Sequence, residues 1–371
     1  MRDVKVLGAA IGKFGRHPDQ TIEEMAAPVI REALADAGVP FGRIEAAYCG
    51  SAYSMMGTGI RVINAVGVTG IPVTNYEQAC ASSSTAFREA HRAVAAGLHD
   101  VVLVAGYELM GRGLLTTAPA DDPDLRMGLQ VMPVHYALKA REYMDKYGAP
   151  REAFAEVAAK SHRNGALAPH AQYQTPMTRE EVLAGRPISD PLTIFECSPT
   201  SDGATAVVVC AESVARQFDG YQRSITIAGW AAGTDSASKE EGNDSTIRHL
   251  GALAYEDAGV GPADIGVTQL HDAFSPGEIL RMEALGLCPE GEGAALTLAG
   301  ATAINGSIPI NTDGGLLSRG HPVGATGLAQ IVEVRLQLLG EAGPRQVEDT
   351  PAVGLCQNSG LGGVNVHVFK R

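Results

Sequence analysis

Apolar residues along the chain fall into short blocks that alternate between helical and strand-like patterns. Ile22 to Ala37 reads as a helix, opened by the capping box Thr21-Ile-Glu-Glu24 and ended by Gly38. Ala46–Cys49, Val101–Ala105, Val267–Leu270 and Ala352–Cys356 are apolar runs of strand length. Met132–Tyr147 and Arg151–Asn164 read as two amphipathic helices. Runs such as Val101–Gly106 and Ala206–Cys210 fall far short of the ~20 residues of a membrane span, so no membrane partner is expected.

These blocks repeat in order. Asp36-Ala-Gly-Val39 returns as Asp257-Ala-Gly-Val260, and at the same offset Ile44 falls on Ile265. Each copy follows a helical stretch, the second from about Thr246 to Ala258, and precedes an apolar segment. Cys80-Ala-Ser-Ser-Ser opens a helix that runs toward Gly97 and leads into Val101–Ala105; Gly320-His-Pro-Val-Gly opens one that runs toward Gly340 and leads into Ala352–Cys356. Each half reads strand–helix–strand–helix–strand. The expected fold is therefore α/β, two duplicated βαβαβ halves with right-handed crossovers. Residues 1–235 form the expected N-terminal half, including an inserted loop domain at about 107–220, and 236–371 the C-terminal half. Within the insertion Leu109–Leu125, rich in Gly, Thr, Pro and Asp, reads as loop. From Tyr107 to Asn164 acidic and basic residues balance, which leaves room for an anionic ligand, although a solvated helical face explains the pattern as well.

Composition narrows the function. With 29 basic against 42 acidic residues and a net charge of −13, the chain lacks the basic surface that nucleic acid requires. Its 371 residues, 45% hydrophobic and 19% charged, supply two core-sized units. The six cysteines form no CxxC pair, so neither a structural zinc site nor any other metal is expected, and a disulfide framework is improbable in such a chain. GxxxxGK[ST], HExxH and GxSxG are absent, and Gly360-Leu-Gly-Gly is no dinucleotide fingerprint. The N-terminus has no apolar signal region, which predicts a cytoplasmic location.

Four positions stand out for chemistry. Cys80 opens a helix, where free N–H groups favour a thiolate and predict a lowered pKa; a small buried core thiol fits its position equally well. His321 holds the corresponding place in the second half, among glycines that permit a sharp turn. A pseudo-twofold axis between the halves would bring Cys80 and His321 face to face as a nucleophile and its base. His271 ends a strand at the edge where α/β sites gather. Cys356 ends another and reads alone as a core thiol, but as an acid/base group beside such a pair.

The segments carrying these residues resemble the thiolase superfamily, in the branch similar to sterol-carrier-protein-type and lipid-transfer thiolases. The likeness rests on Asn75-Tyr-Glu-Gln-Ala-Cys-Ala-Ser-Ser-Ser84, Cys197-Ser-Pro-Thr-Ser-Asp-Gly-Ala204, His271-Asp-Ala-Phe274, Asn311-Thr-Asp-Gly-Gly315, Gly320-His-Pro-Val-Gly-Ala-Thr-Gly327 and Gly354-Leu-Cys356. It implies a layered α/β/α/β/α fold and an acyl-CoA C-acyltransferase, either an acetyl-CoA C-acetyltransferase or a 3-ketoacyl-CoA thiolase. Cys80 would form the acyl-enzyme, His321 would take its proton, and Cys356 would handle the α-carbon proton. His321 and a water on His271 would bind one oxyanion; the Cys80 N–H and one from 358–360 would bind the other. Coenzyme A enters as substrate, with no permanently bound cofactor. A homodimer is implied, with an OB-fold protein as a further partner. Asn358 stands where thiolases carry glycine, a departure shared with the lipid-transfer branch. The alternatives are a thiolase-like aldolase or ketosynthase-type enzyme with that partner, and a non-catalytic acyl-CoA- or lipid-binding subunit.

Overall fold

The computed structural model describes residues 2–111, 123–127, 131–235 and 242–371. One nine-stranded sheet is assembled from two matching sets. The first contains β1 (Val4–Ile11), β2 (Ala46–Gly50), β3 (Val73–Tyr76), β4 (Val101–Glu108) and β7 (Gly203–Ala211). The second contains β8 (Ile225–Thr234), β9 (Val267–Gln269), β10 (Val353–Gly360) and β11 (Gly363–Lys370), while β5 (Pro187–Ser189) and β6 (Leu192–Thr193) pair apart from it. The helices used below are α1 (Ile22–Ala37), α2 (Thr58–Val66), α3 (Ser82–Ala95), α4 (Met132–Tyr147), α5 (Glu152–Gly165), α6 (Gly242–Ala258), α7 (Pro276–Ala284) and α8 (Thr326–Leu339).

Strand order records the duplication. Outward from the antiparallel β1–β8 junction it runs β1-β7-β4-β2-β3 on one side and β8-β11-β10-β9 on the other. The senses match pair by pair: β1–β7 and β8–β11 are antiparallel, as are β7–β4 and β11–β10, whereas β4–β2 and β10–β9 are parallel. Where β3 pairs with β2, a single parallel bridge joins Ile310 to Thr268.

Side chains alternate between two faces of each strand and so separate the layers. Val101, Leu103 and Ala105 pack with Ile30 and Leu34 of α1 in an outer core. Val102 and Val104 turn the other way, toward Phe87 and Ala90 of α3 and Ile331 and Val334 of α8. On the far side, Leu355, Val364 and Val366 pack against Ile247 and Leu250 of α6. Helix and strand layers thus alternate with α3 and α8 at the centre, the expected layered arrangement.

Several predicted elements appear at their predicted bounds. Thr21 caps α1: its Oγ1 accepts the Glu24 N–H at 3.2 Å and its own N–H donates to Glu24 at 2.8 Å, while Gly38 closes the helix at φ 65. Such a cap contributes about 1 kcal/mol. Other bounds differ. The span 107–220 includes β7, a strand bonded to both β1 and β4, so the residues outside the sheet end before Gly203. β10 continues past Cys356 to Gly360, which makes 358–360 strand rather than turn. Of the loop expected at 109–125, residues 112–122 lie outside the described part. Among the described residues no helix is long and apolar enough to cross a membrane.

Candidate active site

The central helices begin side by side because small residues line their junction. A Cβ built on Gly327 of α8 would come 2.7 Å from the Ser84 backbone nitrogen of α3. Just before α3 the chain makes a single tight turn, Ala79–Ala81. Ala79 has φ 44, a left-handed conformation costing about 1–2 kcal/mol in a residue with a Cβ. Three hydrogen bonds hold it there. The Ala79 N–H donates to Glu77 at 2.7 Å, the Ser82 hydroxyl donates to the Ala79 carbonyl at 2.6 Å, and the Gln78 N–H donates to Ser82 Oγ at 2.9 Å. Cys80 emerges half-buried from this turn.

His321 meets it from the other half. Its Nε2 lies 3.2 Å from Cys80 Sγ, and its backbone N–H donates to Ser201 Oγ at 2.8 Å. The Thr326 hydroxyl donates to the Pro322 carbonyl at 2.9 Å, so its oxygen accepts from His321 Nδ1 at 2.7 Å. That bond fixes the ring proton on Nδ1 and leaves the Nε2 lone pair facing the thiol. His271 stands edge-on to His321, with ring centroids 5.2 Å apart.

Asn358 completes the cluster through its side chain. Its Oδ1 accepts from the Ser84 hydroxyl at 2.8 Å, and its amide nitrogen approaches His271 Nδ1 at 3.1 Å. With Nδ1 accepting, the His271 proton sits on Nε2 as a donor. Gly360, one strand repeat further, packs under the nucleophile turn. A Cβ there would come 2.6 Å from Ala81 N and 2.9 Å from Cys80 N, and closer still to the Gln78 carbonyl. Gly360→Ala is therefore expected to displace the Cys80 turn and lower acylation of Cys80 by about 10²-fold while leaving the far-ultraviolet circular dichroism unchanged.

Cys356 is not brought to the cluster. Along β10 it lies two residues, about 7 Å, behind Asn358 and packs with Val334, Leu338 and Phe369 in the central core. Burial pushes its thiol well above the ordinary range. The residue pointing at His271 from β10 is Asn358, so the expectation of two site thiols is corrected to one.

The expectation of a lowered Cys80 pKa is also corrected. Desolvation pushes the thiol up to about 12, outweighing its own turn N–H and the charge of Arg281, with Glu108 adding to the rise. Burial likewise holds His321 down to about 3, with Arg319 assisting, and His271 well below its usual value. At neutral pH the resting pair is thiol and neutral imidazole. The acid limb is expected well below pH 6 and the alkaline limb well above pH 9. Cys80 acylation should therefore change less than about twofold from pH 6 to 9 in rapid-quench assays. An inflection inside that window would mean a preformed thiolate–imidazolium pair.

Sequence reading missed the supports. Glu108, fully buried at the end of β4, accepts from Ala52 N–H, Tyr53 N–H, Ser51 Oγ and Gly324 N–H, tying the β4 end to the His321 loop. Its signal was present: an acid ending an otherwise apolar strand. Ser201 lies within a quoted motif, whereas nothing in the sequence pairs Thr326 with His321. The Cys80, His271 and His321 donor atoms lie within 4.8 Å of one another, as metal ligands do, but Thr326 and Asn358 orient both rings for proton chemistry. His170, Asp313 and Glu333 also cluster, yet Arg319 and Arg345 already pair their carboxylates.

Comparison with known proteins places the chain in a family. Residues 4–213 match the family "Thiolase, N-terminal domain" and residues 232–369 match "Thiolase C-terminal domain-like". The chain is 38% identical to sterol carrier protein 2 of Oryctolagus cuniculus, over 98% of this chain and 71% of that protein. It is 37% identical to the acetyl-CoA acetyltransferase of Methanothermobacter thermautotrophicus, over 100% of each. Among solved structures it superposes on the Ltp2-ChsH2(DUF35) aldolase with a TM-score of 0.86 and 25% identity, covering 99% of this chain and 97% of the other. Two family matches spanning both halves, with these relatives, show that the chain belongs to the thiolase family.

Proposed function

We propose that this chain is an acyl-CoA C-acyltransferase that forms an acyl-Cys80 thioester, in thiolysis of 3-oxoacyl-CoA or the reverse condensation. The observation that carries this is the Cys80 thiol hydrogen-bonded to an imidazole whose other nitrogen is tied to Thr326. Binding alone requires no base aimed at a thiol.

In thiolysis, Cys80 Sγ attacks the 3-oxo carbon as its proton passes to His321 Nε2. The C2–C3 bond breaks, the shortened acyl group stays on Sγ, and the departing C2 carbanion takes the proton back from His321 to release acetyl-CoA; the shortened acyl-CoA leaves only when coenzyme A attacks the thioester. Free coenzyme A then gives its thiol proton to His321 and attacks the thioester, restoring Cys80 with that proton. One imidazole serves both steps, consistent with a single thiol in the site. His271 Nε2–H supplies a donor for the developing oxyanion.

The test is intact-protein mass after mixing with acetoacetyl-CoA or acetyl-CoA. An acetyl adduct on wild type, absent from Cys80→Ser and discharged by coenzyme A, supports the reading. A folded protein that yields no adduct with these or longer 3-oxoacyl-CoAs rejects it. A second reading, aldol-type C–C cleavage with a partner subunit, is favoured by the missing second thiol and by the likeness to the Ltp2-ChsH2(DUF35) aldolase. It predicts cleavage without any adduct. Exposed Ile60 and Val68 share a surface hollow with Val73 of the edge strand β3, which supports a homodimer as the assembly.

A further inference from the structure

Among the described residues five lysine and arginine side chains are buried, and four are paired with acids. Arg319 pairs Asp313, Arg335 pairs Asp36, Arg345 pairs Glu333 and Lys160 pairs Glu278. Arg281 is the exception. It is 3% exposed; its Nη2 donates to the Tyr136 hydroxyl at 2.8 Å, its Nε is buried without an acceptor, and among the described residues no carboxylate pairs it. Asp244 and Asp272 act on it through space without pairing it directly, and a buried guanidinium without a direct ion pair leaves donors that an anion from outside can take.

Its position says which anion. Arg281 lies on α7, the helix that follows the His271-Asp-Ala-Phe274 segment. A Cβ built on Gly277 would collide with Arg281 Nη1 and would lie 3.5 Å from the His271 carbonyl oxygen. The guanidinium therefore rests on the first turn of α7, beside the residue that faces Cys80 and His321. Its charge is felt at both Cys80 and His271. Aromatic rings frame it: Tyr136 stacks on Phe274 at 4.7 Å between centroids, and the guanidinium carbon is 5.6 Å from the Tyr136 ring. A planar fork of donors in dry surroundings matches a carboxylate. Because it lies beside His271, which faces the Cys80–His321 pair, we assign that carboxylate to the acyl portion of the substrate.

We propose that Arg281 is a specificity-determining residue that binds a carboxylate at the end of a short acyl chain, making the substrates dicarboxylic acyl-CoA thioesters. This rests on the acyl-CoA reading above, and the test separates the two. Binding is measured calorimetrically on Cys80→Ala, which cannot be acylated at that position, so acyl transfer plays no part in the result. The probes are succinyl-CoA against butyryl-CoA and glutaryl-CoA against valeryl-CoA, pairs of equal chain length. The acidic member of at least one pair should bind roughly tenfold or more tightly. In Cys80→Ala/Arg281→Gln that preference should collapse toward one, and Arg281→Lys should retain part of it. Equal or tighter binding of both neutral thioesters, or a preference that survives Arg281→Gln, overturns the proposal. Should the glutamine variant not fold, the matched pairs on Cys80→Ala decide by themselves.

Discussion

Cys80→Ser is expected to abolish the acyl-enzyme and His321→Ala to slow its formation by about 10³–10⁴-fold, whereas Cys356→Ala keeps turnover within about threefold of wild type. The contrast follows from what each sulfur touches. Cys80 has a base nitrogen at 3.2 Å and no preformed charge, since desolvation keeps the thiol protonated. Removing His321 leaves no acceptor for the proton at the moment of attack. Cys356 lies in the apolar cluster of the central core, so truncation leaves a small void costing about 1 kcal/mol of stability. Rapid-quench mass spectrometry gives the burst amplitude and rate for all three variants. Equal losses in Cys356→Ala and Cys80→Ser would restore a two-thiol mechanism and remove the assignment of the α-carbon proton to His321.

The duplication was legible because a repeat needs only order and spacing, and Asp36-Ala-Gly-Val39 with its second copy supplied both. α1 was legible to the residue because its capping box and terminal glycine are local in sequence. The meeting of Cys80 with His321 followed from the symmetry of the halves, without knowledge of packing. Cys356 failed for a strand-specific reason. Side chains on one face recur every second residue, so Cys356, Asn358 and Gly360 point the same way, and only the end of β10 decides which reaches the site. Reading that strand as stopping at Cys356 moved the thiol forward by about 7 Å. The sign of the Cys80 shift failed similarly, because a helix start is visible in sequence whereas the burial that outweighs it is a tertiary property.

Asn358 carries the second large effect. Ser84 holds its carbonyl oxygen, so its amide nitrogen faces His271 Nδ1 and the imidazole keeps its proton on Nε2. That proton is what makes His271 a donor to an oxyanion, and losing one such donor typically costs 10²–10³ in rate. Asn358→Ala should thus lower the acylation rate about 10²-fold with little change in coenzyme A affinity. Asn358→Asp makes a sharper test because its effect depends on pH. A carboxylate there accepts from Nδ1, drawing the proton off Nε2 while the ring is neutral, and its charge raises the His271 pKa. Below that raised value the ring carries both protons and Nε2 donates again. The variant should therefore be impaired at pH 8 and recover as pH falls, across a range where wild type stays flat. Nitrogen-15 shifts of His271 give an independent reading: Nε2 protonated and Nδ1 bare in wild type, exchanged in Asn358→Asp at pH 8. A variant that matched wild type in both rate and shift would show that Asn358 does not set the tautomer, and the donor role of His271 would lose its support.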